Sequence, residues 1–140
     1  MGRILAIDYG RKRVGLAVTD ELKIIATSLG TVHAADVIDY LKRYLMDNTV
    51  ECFVVGEPKD MTNHPSEAER FIIPFVRNLR KNFPDVRIER YDERFTSLMA
   101  SRAIREAGAK KSDRQNKALV DAVSATLILQ SYLESKSRKS

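Results

Sequence analysis

The chain opens with two short apolar runs that are separated by a polar turn. Residues 4–7 and 14–18 are apolar, and the turn between them contains Gly10 and three basic residues. Two such runs around a glycine-containing turn predict a β-hairpin. Continuous apolar runs are also typical of strands that are buried on both faces. Residues 24–32 carry a further apolar set, which predicts a third strand with irregular ends.

After the third strand, the apolar periodicity alternates between helical and extended. Residues 37–45 have a helical spacing, and Asp36 and Asn48 are suited to cap and to end that helix. Residues 50–56 form a short apolar run that predicts a buried strand, and residues 86–91 predict a final strand. This part of the chain therefore predicts helix and strand in alternation.

Two capping boxes mark the starts of later helices. Ser66 and Glu69 form a Ser-x-x-Glu box, and Pro74 should kink the helix that follows or delay its regular start. Residues 112–115 form a Ser-x-x-Gln box, which predicts a helix that runs to about Tyr132. Another helix is predicted between the two, from residue 96 or 97 to Gly108.

The order of elements predicts an α/β fold. Three hairpin-linked strands followed by helix–strand alternation favour a five-stranded mixed sheet that is flanked by helices. With 140 residues, one domain over 1–134 is expected, followed by a polar, disordered tail over 135–140. No internal repeat or linker divides the chain.

Composition narrows the setting without deciding the function. The formal net charge is +5 and the pI is near 9.4, a balance that is compatible with nucleic-acid binding. No apolar run approaches the roughly 20 residues that a membrane span needs. The single cysteine, Cys52, cannot form an internal disulfide, which fits a reducing cytoplasm. Zinc-type Cys/His spacing and a Walker-type loop are absent, so any chemistry must come from carboxylates.

Asp8 is the first candidate for that chemistry. It ends the first apolar run, where a carboxylate is costly unless it meets a cation or hydrogen-bond donors. The adjacent residues Arg11, Lys12 and Arg13 indicate that an anion approaches the same place. Asp8 is therefore predicted to bind a metal ion that acts on a phosphate. The alternative is a structural Asp that forms a turn.

Asp121 is the second candidate. It is the one charged residue between Ala118 and Leu133, and a helical spacing puts it beside Ala118, Ala122 and Ala125. Small residues let a helix approach a sheet closely, so Asp121 is expected to point toward the sheet. Metal ligation and a buried salt bridge both remain open.

Further acids follow the predicted strands. Asp92 and Glu93 come after the last strand, and because successive strand residues face opposite ways, only one of them can enter a given site. Glu57 follows the preceding strand. The ends of parallel strands are where open α/β sheets form ligand crevices. The alternative for this group is a solvated charge cluster.

Clustered carboxylates favour a divalent cation. They repel each other unless a cation neutralises them, and oxygen ligands prefer Mg²⁺ or Mn²⁺ to zinc. Two such ions could support phosphodiester cleavage. Basic side chains would bind the nucleic-acid backbone without sequence preference, or else form an ordinary solvated face. Besides residues 11–13, they include Arg102, Arg105, Lys110, Lys111, Arg114 and Lys117.

Taken in order, these segments resemble the YqgF family of Holliday-junction-resolvase-like proteins and pre-16S rRNA nucleases. The resemblance covers nearly the whole chain. Its motifs are Ala6-Ile7-Asp8-Tyr9-Gly10, Arg13-Val14-Gly15-Leu16-Ala17, Val54-Val55-Gly56, Asp92-Glu93-Arg94-Phe95-Thr96-Ser97 and the segment 121–130, which starts with Asp121-Ala122-Val123.

The resemblance implies an RNase H-like fold and a metal-dependent nuclease that trims the 5′ end of the small-subunit ribosomal RNA precursor. It implies an acidic triad of Asp8, Glu93 and Asp121, with Arg94 near the scissile phosphate. Two positions depart from the family pattern. Glu57 replaces an apolar residue and could compete with Glu93, and the loop that starts at Lys59, a further candidate for substrate binding, differs from the usual Asn-Met-Asp-Gly type.

Alternative functions remain at this point. The protein could be a resolvase that acts on branched DNA, or a non-catalytic nucleic-acid-binding factor that acts on ribosome-assembly intermediates. An ATPase related to actin or sugar kinases is disfavoured, because those enzymes need two large lobes. The sequence leaves both a monomer and a homodimer open, and it predicts no membrane association.

Overall fold

In the computed structural model, the strands form one mixed sheet. The structure describes residues 2–58, 67–92 and 117–139, with side chains in the last range from 123 to 136. Strand β1 is antiparallel to β2 and parallel to β4, so the sheet has the order β3-β2-β1-β4-β5. The strands are β1 (Arg3–Tyr9), β2 (Arg13–Thr19), β3 (Ala26–His33), β4 (Val50–Glu57) and β5 (Arg87–Asp92).

Helices cover both faces of the sheet. Leu5 and Ile7 of β1 lie in a core with the first two helices, whereas Ile4 and Ala6 lie in a second core with the last helix. This division follows from the alternation of side chains along a strand. The helices of the described part are α1 (Val37–Asp47), α2 (Glu69–Asn82) and α3 (Lys117–Lys139). None of these described helices is long and apolar enough to cross a membrane.

The third strand is shorter than its apolar pattern predicts. Ile24 and Ile25 precede β3 and are 69% and 62% exposed. Their backbone N–H groups donate to Oδ1 of Asp20 at 2.8 and 2.9 Å, and Asp20 also accepts a hydrogen bond from the backbone of Leu22. The Asp20 carboxylate therefore organises a loop from residues that the pattern assigned to a strand.

The two ends of α1 differ in how well they agree with the caps predicted for them. Asp36 is the N-cap residue, but its side chain makes no capping hydrogen bond. A 3₁₀ turn over Ala34–Asp36 precedes the helix instead, and Nδ1 of His33 accepts the backbone N–H of Ala35 at 3.0 Å. The predicted side-chain cap at Asp36 is therefore wrong. Asn48 is confirmed as the C-terminal boundary.

Helix α2 begins at Glu69 and not at the predicted capping box. Ser66 lies outside the described residues, and Glu69 is the first helical residue, where its carboxylate contacts Arg90. Pro74 lies in the second turn of α2 and is exposed. The Ser-x-x-Glu pattern therefore marked the region where α2 begins, whereas the contact of Glu69 with Arg90 was not predicted.

The end of α3 differs from the expected disordered tail. The helix continues to Lys139, well past the predicted end at Tyr132. The Ser135 hydroxyl donates to the carbonyl of Tyr132 at 2.7 Å. Lys136 lies over the Tyr132 ring and 3.7 Å from a carboxylate oxygen of Glu89. These contacts stabilise the helical conformation of the polar residues after Tyr132.

Tyr132 and Glu89 connect α3 to β5. The Tyr132 hydroxyl donates to the Glu89 carboxylate. Burial raises the pKa of Tyr132, and the hydrogen bond to Glu89 raises it further. Burial alone would raise the pKa of Glu89, but the Tyr132 hydroxyl, Lys136 and Arg87 together lower it below 4.5. The folded state therefore favours the ionised Glu89.

This ionisation predicts a pH-dependent effect of Glu89→Gln on stability. The folded pKa is lower than the unfolded one, so the stabilisation is full above about pH 4.5 and is lost as the pH falls through the folded pKa. We expect Glu89→Gln to lower the free energy of unfolding by about 1 kcal/mol at pH 7, and by much less at pH 3. Urea unfolding at both pH values measures this. An equal difference at the two pH values would contradict it.

Candidate active site at the carboxyl edge of the sheet

The carboxyl ends of the parallel strands meet at one edge of the sheet. Ile7 of β1 is paired with Val55 of β4, and Glu57 of β4 is paired with Asp92 of β5. Asp8 follows Ile7, so three acids from three neighbouring strands lie at this edge: Asp8, Glu57 and Asp92. This agrees with the predicted gathering of strand-end carboxylates.

The three acids do not share a face of the sheet. Alternation puts Asp8 on the same face as Ile4 and Ala6, which pack with α3. Glu57 follows the parity of Phe53 and Val55, and Asp92 follows that of Ile88, all of which belong to the core under α1 and α2. Glu57 and Asp92 therefore lie across the sheet from Asp8.

On the face of Asp8, the neighbouring strands carry other residues. Gly56 of β4 and Tyr91 of β5 are paired with each other, and they take the α3-face positions next to the strand ends. Tyr91 packs with the α3 core, its ring 6.2 Å from that of Tyr132. The carboxyl end of β4 consequently contributes no acid on the face of Asp8; Glu51 of β4, which lines the cavity beside Ile4 and Leu133, lies at the opposite end of the strand.

Helix α3 runs from this edge toward the opposite one. Its residues Leu133 and Lys136 line a cavity with Ile4 and Arg87, which lie near the starts of β1 and β5. Earlier in α3, Ala125 packs in the same core as Ala6 and Ala17. About 18 Å of helix separate positions 121 and 133, and β1 rises about 13 Å from Ile4 to Asp8.

Position 121 therefore lies in the part of α3 that leads toward the edge of Asp8. It precedes Ala125 by one helical turn, on the same helix face as Ala125 and Ile128, which are fully buried against the sheet. The side chain of Asp121 is outside the described part of the structure.

Several predicted site residues lie wholly outside the described ranges. They are Lys59, Glu93 and Arg94, together with the predicted basic residues Arg102, Arg105, Lys110, Lys111 and Arg114. Among the residues that are described, no three His, Cys, Asp or Glu side chains converge into a group that could hold a metal ion. Asp8, which is partly buried, is therefore the one predicted triad member whose side chain can be assigned to a face of the sheet.

The basic turn divides its side chains between the two faces. Arg13 is the first residue of β2, is partly buried, and has the parity of Ala17, which packs with α3. It therefore lies on the face of Asp8, diagonally across the hairpin. Lys12 is exposed. Arg11 lies toward the other face, where its guanidinium carbon is 5.0 Å from the centre of the Phe71 ring in α2.

Gly10 allows this turn to close tightly. A Cβ at Gly10 would lie 2.5 Å from the carbonyl oxygen of Arg13, a contact that requires the backbone to shift. We expect Gly10→Ala to lower the free energy of unfolding by about 1–3 kcal/mol. Urea unfolding measures the loss. Lys12→Ala, in the same turn but exposed, is the control and should change stability by less than about 0.5 kcal/mol; equal losses would contradict the steric explanation.

A buried ion pair near the edge was not predicted from the sequence. The guanidinium of Arg90 contacts both carboxylate oxygens of Glu69, at 2.5 and 3.3 Å, and donates to the carbonyls of Val55 and Gly56 at 3.3 and 3.0 Å. Arg90 thus fastens the first turn of α2 to the end of β4. A charged residue at an inward position of a short strand is the signal that could have indicated it.

Comparisons with known proteins assign the chain to a family. A family model described as RuvX, Holliday junction resolvase, matches residues 2–135. The chain belongs to this family. A relative from Phocaeicola vulgatus is 57% identical over 136 residues, which cover 97% of this chain and 98% of the relative. One from Porphyromonas gingivalis is 54% identical and covers 99% of this chain and 100% of the relative. Both carry the name "Putative pre-16S rRNA nuclease".

A solved structure supports the fold. The RuvC protein of T. thermophilus, in complex with a Holliday junction substrate, aligns with a TM-score of 0.55 over 96% of this chain and 95% of RuvC, at 17% identity. The predicted family and the RNase H-like α/β fold are therefore confirmed. The predicted nuclease class is confirmed through the family.

Proposed function

We propose that this protein is a divalent-metal-dependent endonuclease whose active site lies at the carboxyl edge of the sheet, on the face covered by α3. The observation that carries the proposal is the position of Asp8. It is a partly buried acid at the end of the central strand β1, with Arg13 on the same face. At such an edge, the carboxylate is suited to bind a metal cation, and the guanidinium beside it is suited to bind a phosphodiester.

We propose Glu93 and Asp121 as the other acids of the site. Gly56 leaves the carboxyl end of β4 without an acid on the α3 face, and Glu57 and Asp92 lie on the opposite face, which packs with α1 and α2. Glu93 follows Asp92 by one residue, and successive residues of an extended chain face opposite sides. The α3 backbone leads position 121 toward the same edge. Glu57 and Asp92 are then not ligands.

The donor set at this edge fits Mg²⁺ or Mn²⁺. The acids proposed for it supply oxygen ligands alone, and the one cysteine, Cys52, is buried near the start of β4. When bound, one or two such ions would supply an activated water and stabilise the leaving oxygen. Asp8 holds the negative charge that retains the ion, while Arg13 and Lys12 neutralise the phosphate, with Arg94 and Lys59 as further contacts.

For the substrate, we propose the 5′ region of the pre-16S ribosomal RNA, cleaved in the cytoplasm. The support comes from the names of relatives that are more than 50% identical over nearly their whole length. The RuvX family description and the RuvC structure favour a four-way DNA junction as the second candidate. Ribosome-assembly intermediates are the proposed setting for the first substrate.

A cleavage assay tests this proposal. The purified protein is incubated with a labelled pre-16S RNA 5′ segment or a labelled four-way DNA junction, with Mg²⁺ or Mn²⁺ and, in parallel, with EDTA. We expect metal-dependent cleavage of the RNA at one end-proximal site. Cleavage of the junction alone would move the function to DNA. Salt-sensitive binding to either molecule without cleavage would contradict a nuclease and favour a binding factor.

A further inference from the structure

A second basic feature lies on the other side of the carboxyl edge, between the β1–β2 turn and the first turn of α2. The ring of Phe71 is contacted by two guanidiniums, Arg11 at 5.0 Å and Arg70 at 5.1 Å from the ring centre to the guanidinium carbon. An open cavity of about 310 Å³ lies beside them and is also lined by Gly10. The trio Arg11, Phe71 and Arg70 is called the arginine clamp below.

We propose that the arginine clamp binds a backbone phosphate of the nucleic-acid substrate, at a position next to the cleaved one. The inference rests on the proposed function, because it assigns to α2 a role in holding the same substrate strand. It adds Arg70 and Phe71, which none of the sequence motifs includes, to the substrate-binding residues.

The geometry of the clamp favours an anion. Both guanidiniums lie over the Phe71 ring, and each carries N–H donors that match a phosphate in a bidentate manner. Arg11 and Arg70 are both exposed, and neither forms an ion pair within residues 2–58, 67–92 and 117–139. Among the described residues that line the cavity, Glu67 is the one acid, so the two arginines give these residues a positive balance.

The clamp is also close enough to the proposed active site. Arg11 follows Asp8 by three residues, so their Cα atoms are separated by at most about 10 Å. Arg13 lies on the face of Asp8, whereas Arg11 contacts α2. One turn therefore directs cations to both sides of the edge. A nucleic-acid strand that crosses the edge at Asp8 would contact Arg13 on one side of the cleaved phosphate and the arginine clamp on the other side.

Salt-dependent binding of labelled nucleic acid tests the clamp. Wild type, Arg11→Gln, Arg70→Gln and Phe71→Leu are titrated with the labelled pre-16S RNA 5′ segment in EDTA, by fluorescence anisotropy at several salt concentrations. Arg80→Gln, an exposed arginine farther along α2, is the matched control for the loss of one charge. Thermal unfolding of each variant shows that it is folded.

We expect each clamp arginine variant to weaken binding about 5–10-fold and to reduce the slope of log K against log salt by about 0.7–0.9. Phe71→Leu should weaken binding about 3-fold at unchanged net charge, because the guanidiniums lose the ring that holds them. Arg80→Gln should leave both quantities unchanged. A slope for Arg70→Gln that equals the slope for Arg80→Gln would overturn the proposal.

The outcomes separate this proposal from the function itself. Binding is measured without metal. If the wild type binds RNA through the clamp but never cleaves it, the nuclease proposal is contradicted and the clamp proposal is supported. If the wild type cleaves the substrate and the clamp variants bind it normally, only the clamp proposal is contradicted. A wild type that binds neither the RNA nor the four-way junction at low salt would contradict both.

Discussion

Replacing Asp8 with Asn is expected to reduce metal-dependent cleavage by about 10³-fold, the effect of removing one preorganised electrostatic group from an active site. Asp8 is the penultimate residue of the central strand β1 and lies on the α3 face, and the substitution removes its negative charge with little change in shape. In the proposed site the cation would lose a ligand, and the phosphate would lose a repulsive neighbour. Single-turnover cleavage of the labelled substrate measures the loss.

Binding distinguishes this explanation from misfolding. In EDTA, Asp8→Asn should bind the labelled nucleic acid as tightly as the wild type or more tightly, since repulsion between the acid and the phosphates falls. Weaker binding together with a lowered melting temperature would indicate a structural role for Asp8, which is the turn-forming alternative. Unchanged cleavage would remove Asp8 from the active site.

The largest effect on stability is expected at the ion pair between Glu69 and Arg90. The side chains are 11% and 22% exposed, and they meet through two contacts. Glu69→Gln leaves a mostly buried guanidinium without its counter-ion, so we expect the free energy of unfolding to fall by roughly 2–4 kcal/mol. Urea unfolding at pH 7 measures the change.

Glu67→Gln provides the matched control for this prediction. Glu67 precedes α2 by two residues and is exposed, so its substitution should change stability by less than about 0.5 kcal/mol. Losses of equal size in the two variants would show that the charge near the start of α2 matters, and not the buried contact. Arg90 also donates to Val55 and Gly56, so Arg90→Met should cost at least as much as Glu69→Gln.

The strand pattern could be predicted because burial on both faces makes the central strands continuously apolar. Residues 4–7, 14–18 and 50–56 were recognised in this way, and they became β1, β2 and β4. At the sheet edge the same pattern failed. Ile24 and Ile25 are apolar but exposed, since the carboxylate of Asp20 offers their backbone N–H groups a local alternative to strand pairing.

Local motifs also gave no indication of partners that are distant in the sequence. Glu69 fits a capping box, yet its carboxylate contacts Arg90, which is 21 residues away and belongs to β5. Residues 135–139 are polar, but Tyr132 and Glu89 give Lys136 partners that extend the helix. Such long-range pairs have no periodic signal in a single sequence.

The sequence predicted that the site consists of strand-end carboxylates. The register of the sheet shows which of these carboxylates share a face with Asp8. The sequence pointed to strand-end carboxylates and noted that Asp92 and Glu93 must face opposite ways. The pairing of Glu57 with Asp92, opposite the face of Asp8, is what separates Asp8 from both. The roles of Glu93, Asp121 and Arg94 stay predictions.

The most direct test of this account compares Asp8→Asn with Asp92→Asn. Both variants replace one strand-end Asp at the same edge, but on opposite faces of the sheet. Single-turnover cleavage at one Mg²⁺ concentration should fall by about 10³-fold for Asp8→Asn and by less than about 3-fold for Asp92→Asn. A loss of equal size in both variants, or a loss confined to Asp92→Asn, would contradict an active site on the α3 face.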